Sequence, residues 1–122
     1  MLFRSDCLRR VAGVLEGCVK RGGELLARYG GEEFVVLLPS TDLAAAAAFA
    51  QRCLDRLDAA RIPHRASPVS DWLTMSIGVA SVVPAQGVSP KSLVRRADAA
   101  LYAAKKLGRA QFACADVTPT LI

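Results

Sequence analysis

The glycine pair Gly30-Gly31 joins two apolar segments and constrains the fold of this chain more than any other feature. Leu25-Leu26-Ala27 precedes the pair, and Val35-Val36-Leu37-Leu38 follows it. The pattern predicts a β-hairpin with a two-residue turn, because glycine readily adopts the positive φ angles that such a turn requires. Glu32-Glu33 comes directly after the turn, where a tip without side chains would let metal and phosphate approach the backbone.

The predicted turn also sets which residues of the two strands face each other. With the two glycines as the turn, Arg28 lies opposite Glu33, and we expect a cross-strand ion pair between them. Neighbouring strand residues point to opposite faces, so Glu32 would face a site on the other side. Both strands are almost entirely apolar, which predicts a sheet covered on both faces.

The spacing of apolar residues predicts three helices and two further strands around the hairpin. The helices cover residues 6–19, residues 43–60 after a cap at Asp42, and a segment that begins at Ser89-Pro90 and ends at Gly108. The strands cover residues 72–83, interrupted at Gly78, and residues 110–113. Trp72 and Tyr102 are expected in the core. This order matches the later part of a β-α-β-β-α-β unit, an α+β fold.

Composition narrows the class of protein. A chain of 122 residues that is 52% hydrophobic is one globular domain or most of one. No secretory signal or membrane-spanning run is present in the sequence. The net charge of +5 comes from dispersed basic residues without interleaved aromatic residues, so nucleic acid is not expected as a partner. The four cysteines form no Cys-x-x-Cys pair and are expected to be free thiols in a reducing compartment.

The string Arg28-Tyr29-Gly30-Gly31-Glu32-Glu33-Phe34 resembles the signature of the GGDEF family, the diguanylate cyclases, in its Gly-Gly-Glu-Glu-Phe form. Thr74 to Ala80 is similar to a later strand of that family, and Arg96 to Arg109 to its last helix and the following turn. The resemblance implies a nucleotide-cyclase-like, ferredoxin-type α+β domain (an α/β sandwich) with an antiparallel or mixed sheet. We place this partial domain at residues 6–115, followed by a loose tail at 116–122.

The front of the chain departs from the family. That family's domain opens with a strand carrying a metal-binding Asp, followed by a helix and an Asn that reads guanine, and neither matches here. We expect residues 1–5 to be a non-family start, of artefactual origin, and the domain to be truncated at its first strand. On this interpretation the fragment by itself is inactive.

The resemblance implies roles for individual residues. Glu32 and Glu33 would be catalytic, and Glu32 would also hold metal, Mg²⁺ or Mn²⁺, with two ions in each active GTP site. The implied substrate-binding residues are Asp6, Gly30, Gly31, Lys105 and Arg109. Asp6 could instead be a helix N-cap, and Lys105 and Arg109 could simply complement the dipole of the last helix.

A second implied site involves three residues that flank the hairpin. Arg21 and Glu24 occupy the place of the family's Arg-x-x-Asp product-inhibition motif, with Glu in place of Asp, and Arg52 could supply a second inhibitory guanidinium. The alternative is that these are solvated surface charges.

The resemblance implies a diguanylate cyclase that condenses two GTP into cyclic di-GMP and two pyrophosphates in bacterial signalling. Such an enzyme would act as a cytoplasmic homodimer, within a parent protein that could be membrane-anchored through an upstream sensory module not visible here. The alternative is a non-catalytic domain that binds GTP or cyclic di-GMP and acts through protein contacts.

Overall fold

A computed structural model of the chain describes residues 5–19, 24–30, 33–63, 72–82, 89–106 and 111–115. These residues form three α-helices and four β-strands in the predicted order: α1 (Ser5–Cys18), β1 (Leu25–Gly30), β2 (Glu33–Leu37), α2 (Leu43–Ala60), β3 (Ile77–Val79), α3 (Pro90–Lys106) and β4 (Phe112–Cys114). The mixed α+β architecture is confirmed. The expected tail at 116–122 and most of the expected non-family start lie outside the described residues.

The chain divides into two compact units. The first consists of Met1–Thr41 and Arg52–Thr74, and the second of Asp42–Gln51 and Met75–Ile122. Among the described residues, β1 and β2 form one two-stranded sheet and β3 and β4 form another.

The core of the first unit consists mainly of buried apolar side chains from α1 and from the second half of α2. Such positions recur every three or four residues along each helix, so they fall on one face. The Arg56 guanidinium donates a hydrogen bond to the Gly17 carbonyl at 3.0 Å and joins the two helices at the end of α1. After α2, the Leu73 amide donates to the Ile62 carbonyl at 2.6 Å. The buried side chains of this unit are Val11, Leu15, Cys18, Cys53, Leu57, Ile62 and Leu73.

The β1–β2 hairpin is antiparallel, as predicted, but its register differs by one residue from the predicted one. Arg28 pairs with Phe34 and Gly30 pairs with Glu33, because the ladder shifts between Arg28 and Gly30. The predicted cross-strand pair of Arg28 and Glu33 is therefore wrong, and Gly30 belongs to the strand rather than to the turn. An extra strand residue of this kind is a β-bulge, and it moves every side chain beyond it to the opposite face.

The hairpin is not covered on both faces as expected. Leu25 and Leu37 are cross-strand partners, and they are 53% and 49% exposed. Leu26, between exposed Leu25 and Ala27, is half-buried, and so are Phe34, Val35 and Val36 of β2. One face of the hairpin is therefore better covered, and the other face, which carries Leu25 and Leu37, is apolar and exposed to water.

The second unit is built on a short parallel pair of strands packed against α3. Ile77, Gly78 and Val79 pair with Phe112, Ala113 and Cys114, in that order. Helix α3 begins as predicted, because the Ser89 hydroxyl caps it by accepting from the Ser92 amide at 3.1 Å and Pro90 is its first residue. Ala100 and Ala104 are its buried residues.

Gly78 marks a close contact between β3 and α3. A Cβ built at this position would meet the Ala97 carbonyl oxygen and the Leu101 nitrogen of α3, and would lie 2.8 Å from the Leu101 Cβ. The absence of a side chain therefore lets the strand approach the helix backbone.

Several sequence expectations for this region need correction. The expected strand over residues 72–83 is regular only at 77–79, with Gly78 at its centre, and Trp72 makes an isolated bridge to Pro63. Trp72 and Tyr102 are not core residues, since they are 36% and 63% exposed. Trp72 lies under the Arg61 guanidinium and Tyr102 near the Lys106 ammonium, both of which are cation–π contacts that tolerate water. Across the described ranges, each helix is too short or too polar to traverse a lipid bilayer.

Candidate functional site

A groove of about 440 Å³ lies between α1 and the β1–β2 hairpin. The volume of this groove is in the size range of small-molecule sites in proteins. It sits beside the glycine signature, because its lining includes Arg28 and Phe34, the first and last residues of the signature string. The other lining residues are Leu8, Arg9, Ala12, Glu16, Leu26 and Ala27.

Helical spacing places the α1 residues along one side of the groove. Leu8, Ala12 and Glu16 follow one another at intervals of four residues, so they form a single row on the helix. Arg9 lies beside this row and is exposed. The helix thus contributes an apolar strip with a cation and a carboxylate at its margins.

The hairpin supplies the opposite side through its cross-strand pairs. Leu26 lies across from Val36 and Arg28 lies across from Phe34. Phe34 is half-buried, whereas Arg28 is exposed. An apolar floor with guanidinium groups at the rim can accept a flat aromatic base and a phosphate together, since arginine matches phosphate geometry with two parallel hydrogen bonds.

The structure describes the residues of the hairpin tip only in part. Gly30 ends β1 and pairs with Glu33, which begins β2 and is exposed. Gly31 and Glu32 lie outside the described residues. The tip therefore places one of the two signature carboxylates at the solvent-facing end of a strand.

Asp6 is the second residue of α1 and lies in its first turn. The helix begins at Ser5, one residue before the predicted start at Asp6.

Lys105 lies in the last turn of α3 with Lys106, and both are exposed. Basic residues at this end of a helix complement its dipole. Arg109 lies outside the described residues, so the structure describes one of the two basic residues assigned to phosphate.

The proposed inhibitory residues are likewise described in part. Glu24 immediately precedes β1 and is half-buried, and Arg52 is exposed on α2. Both make polar or electrostatic interactions with other residues. Arg21 and the single histidine, His64, lie outside the described residues.

A metal site is not complete within the described residues. In those ranges, no three His, Cys, Asp or Glu side chains lie close enough together to hold an ion. Glu33 alone provides too few oxygen ligands for a divalent cation such as Mg²⁺.

The structure thus shows an α+β domain with a groove between α1 and the β1–β2 hairpin. A family profile described as "Diguanylate cyclase, GGDEF domain" matches residues 5–111. The chain belongs to the GGDEF family.

Individual relatives agree with this assignment. The chain is 40% identical to Diguanylate cyclase A of Treponema denticola over 102 residues, which cover 84% of this chain and 26% of the relative. It is 38% identical to the Cyclic di-GMP phosphodiesterase PdeR of Escherichia coli, over 91% of this chain and 16% of the relative. The chain thus spans about a quarter or less of these relatives' lengths.

Solved structures extend the agreement to the fold. The GGDEF domain of DgcB from Caulobacter crescentus, solved in complex with c-di-GMP, superposes with a TM-score of 0.76 at 32% identity. The match covers 89% of this chain and 63% of that structure.

The groove-lining residues outside the signature were not among the sequence-predicted site residues. Leu8, Arg9 and Leu26 were interpreted only as parts of amphipathic or apolar segments. The usable signal was the row of residues four apart on α1, but it acquires meaning only once the hairpin is known to pack against that side.

Proposed function

We propose that the chain is the GTP-binding part of a diguanylate cyclase, which condenses two GTP into cyclic di-GMP and two pyrophosphates. The observation that carries this proposal is the groove between α1 and the hairpin, bounded by Arg28 and Phe34 of the signature, in a chain of the GGDEF family. The names of relatives such as Diguanylate cyclase A support the same activity.

Within this site, the apolar floor around Leu8 and Phe34 would take the guanine ring. Asp6 would accept hydrogen bonds from the guanine edge, because a carboxylate pairs well with its two adjacent N–H donors. The backbone at Gly30 and Gly31 would lie close to the phosphates, since no side chain stands in the way. Lys105 and Arg109 would neutralise triphosphate charge.

The reaction needs two such domains facing each other in a homodimer. The ribose 3′-hydroxyl of each GTP attacks the α-phosphate of the other, and pyrophosphate leaves. Glu32, assisted by Glu33, would orient and activate that hydroxyl as a general base. The GGDEF cyclases use a divalent metal; we propose two Mg²⁺ or Mn²⁺ ions in each site, with Glu32 as a ligand, which would offset charge on the phosphates.

Regulation and location form the remaining part of the proposal. Arg21, Glu24 and Arg52 would form a product-inhibition site in which guanidinium groups contact the phosphates of cyclic di-GMP. Synthesis would take place in the cytoplasm, where GTP is available, under control of an upstream sensory module.

The test compares two substitutions that each remove one carboxylate charge. Cyclic di-GMP formation from GTP and Mg²⁺ is measured by chromatography in the longest protein encoded at the locus, with Glu32→Gln and with Asp58→Asn at an exposed position of α2. Glu32→Gln should abolish turnover and leave the circular dichroism spectrum unchanged, whereas Asp58→Asn should leave turnover within about twofold. Near-normal turnover by the Glu32→Gln variant would show that Glu32 does not have the proposed role.

A second candidate function is a non-catalytic domain that binds GTP or cyclic di-GMP and signals through protein contacts. The observation that favours it is the match to PdeR, a relative named as a phosphodiesterase. Binding of GTP in a calorimetric titration, without cyclic di-GMP formation in the chromatographic assay, would select this candidate.

A further inference from the structure

Two cysteine thiols meet where α1 packs against α2. Cys18 is the last residue of α1, Cys53 lies in α2, and each is 2% exposed. Cys18 is the neighbouring group that, after burial, raises the pKa of the Cys53 thiol, so the two side chains lie close together. Cys18 itself donates to the Val14 carbonyl, with 3.5 Å between the sulfur and the oxygen.

The packing of the two helices holds this thiol pair in place. Arg56, one turn after Cys53, donates to the carbonyl of Gly17, the residue next to Cys18. Leu15 and Leu57, which are 2% and 1% exposed, lie on the same buried faces. A disulfide can join two thiols at such a helix contact where the backbone brings their Cβ atoms to about 3.5–4.5 Å.

We propose that Cys18 and Cys53 are a redox-sensitive pair that a peroxide converts into a disulfide between α1 and α2. This proposal concerns the packing of the domain and does not depend on the proposed function. Disulfides of this reversible kind are the ones expected in a reducing compartment.

The two thiols have different roles in the reaction. Burial, followed by the neighbouring Cys18, raises the pKa of Cys53 to about 12, so Cys53 stays protonated and is a poor first nucleophile. Cys18 lies at the end of a helix, where fraying opens the backbone more readily than in the middle. Cys18 is therefore the thiol that meets the oxidant first.

The reaction proceeds in two balanced steps. The Cys18 sulfur attacks one peroxide oxygen and breaks the O–O bond, which gives a sulfenic acid and one water. The Cys53 sulfur then attacks the Cys18 sulfur, the S–O bond breaks, and the oxygen leaves as a second water with the Cys53 proton. Two thiols lose two electrons in total, and hydrogen peroxide is reduced to water.

The experiment isolates the pair by removing the other two thiols. The 122-residue chain with Cys7→Ser and Cys114→Ser is checked for folding by circular dichroism, exposed to hydrogen peroxide, quenched, denatured and alkylated with N-ethylmaleimide. We expect both thiols to escape labelling, the intact mass to fall by two hydrogen atoms, and dithiothreitol to restore both labels. The melting temperature should rise on the order of 10 °C, because the bridge constrains the unfolded chain.

The matched control carries Cys53→Ala in the same background. It should form the Cys18 sulfenic acid or no product, gain no thermal stability and give no mass loss. Peptide mapping of the unsubstituted chain provides a second measurement if the background variant does not fold, and it should recover a Cys18–Cys53 cross-linked peptide. Full labelling of both thiols after peroxide, oxygen adducts alone, or bridges only between chains would overturn the proposal.

Discussion

Arg28 lies directly across the β1–β2 ladder from Phe34, and both residues line the groove beside α1. One is a cation exposed to solvent and the other a half-buried aromatic residue. In the proposed GTP site, this cross-strand pair would bring a guanidinium suited to phosphate and an aromatic surface suited to a purine ring to one place.

The first prediction concerns the groove and compares two adjacent arginines. Arg9 lines the groove, whereas Arg10 is exposed on α1 and is not part of the lining. Arg9→Ala should weaken GTP binding about tenfold, because a charge-assisted hydrogen bond is worth about 1.5–3 kcal/mol. Arg10→Ala should change the affinity less than about twofold. Calorimetric titration with GTP measures the affinity of both variants. Equal losses of affinity would show that overall positive charge, and not the groove contact of Arg9, is responsible.

The second prediction concerns the contact between β3 and α3. Gly78→Ala should destabilise the chain by about 3 kcal/mol or more, because the new methyl group meets helix backbone that cannot rotate away. Gly13→Ala is the matched change in α1, where a Cβ meets nothing within 4 Å. It should stabilise the chain by about 0.5–1 kcal/mol, since alanine is the better helix former. Urea unfolding provides both values, and a neutral Gly78→Ala would show that β3 can move away from α3.

The third prediction concerns product feedback and rests on the proposed inhibitory site. In the proposed site Glu24 takes the place of an Asp that would contact guanine, and its longer side chain adds a rotatable bond that must be ordered on binding. Glu24→Asp should therefore tighten cyclic di-GMP binding by about tenfold, which corresponds to about 1.4 kcal/mol. Calorimetry with cyclic di-GMP measures the change. Tight binding by the unsubstituted chain that is lost on Arg21→Ala would instead show that Glu24 substitutes fully.

The fourth prediction follows from the buried Cys53 thiol. Its pKa is raised from 9.0 to about 12 in the folded chain, chiefly by burial. Above pH 9.0 the unfolded chain loses this proton while the folded chain keeps it, so stability falls as pH rises from 9.0 toward 12. The contribution to the slope is at most about 1.4 kcal/mol per pH unit, and it vanishes below pH 9.0.

Urea unfolding under reducing conditions across this pH range measures the slope. Cys53→Ala should remove this part of the slope, whereas Cys114→Ala, at an exposed position, should retain it. The comparison is between slopes, since the alanine also leaves a small cavity that lowers stability at every pH. Identical slopes in all three proteins would contradict the assignment.

Local signals were enough to predict the elements, because each depends on residues close together in sequence. Ser89 and Pro90 predicted the start of α3, and the Asp42 carboxylate accepts from the Ala45 amide at 2.8 Å as a predicted cap should. The hairpin followed from its two glycines and apolar flanks.

Features that depend on tertiary contacts were not predictable in the same way. The ladder shift between Arg28 and Gly30 leaves no trace in a run of apolar residues, so the predicted register was wrong. Trp72 was expected in the core because of its ring, yet its cation–π contact with Arg61 lets it stay partly exposed. The groove required knowing which side of α1 the hairpin covers, and that is a property of packing.

The exposed pair of Leu25 and Leu37 has a consequence for how the chain behaves at high concentration. In the described part of the chain, β1 and β2 pair only with each other. An exposed apolar patch on a two-stranded sheet favours association with another molecule. Melting curves of this chain therefore need to be recorded over a dilution series, and charged substitutions at positions 25 and 37 should weaken that association.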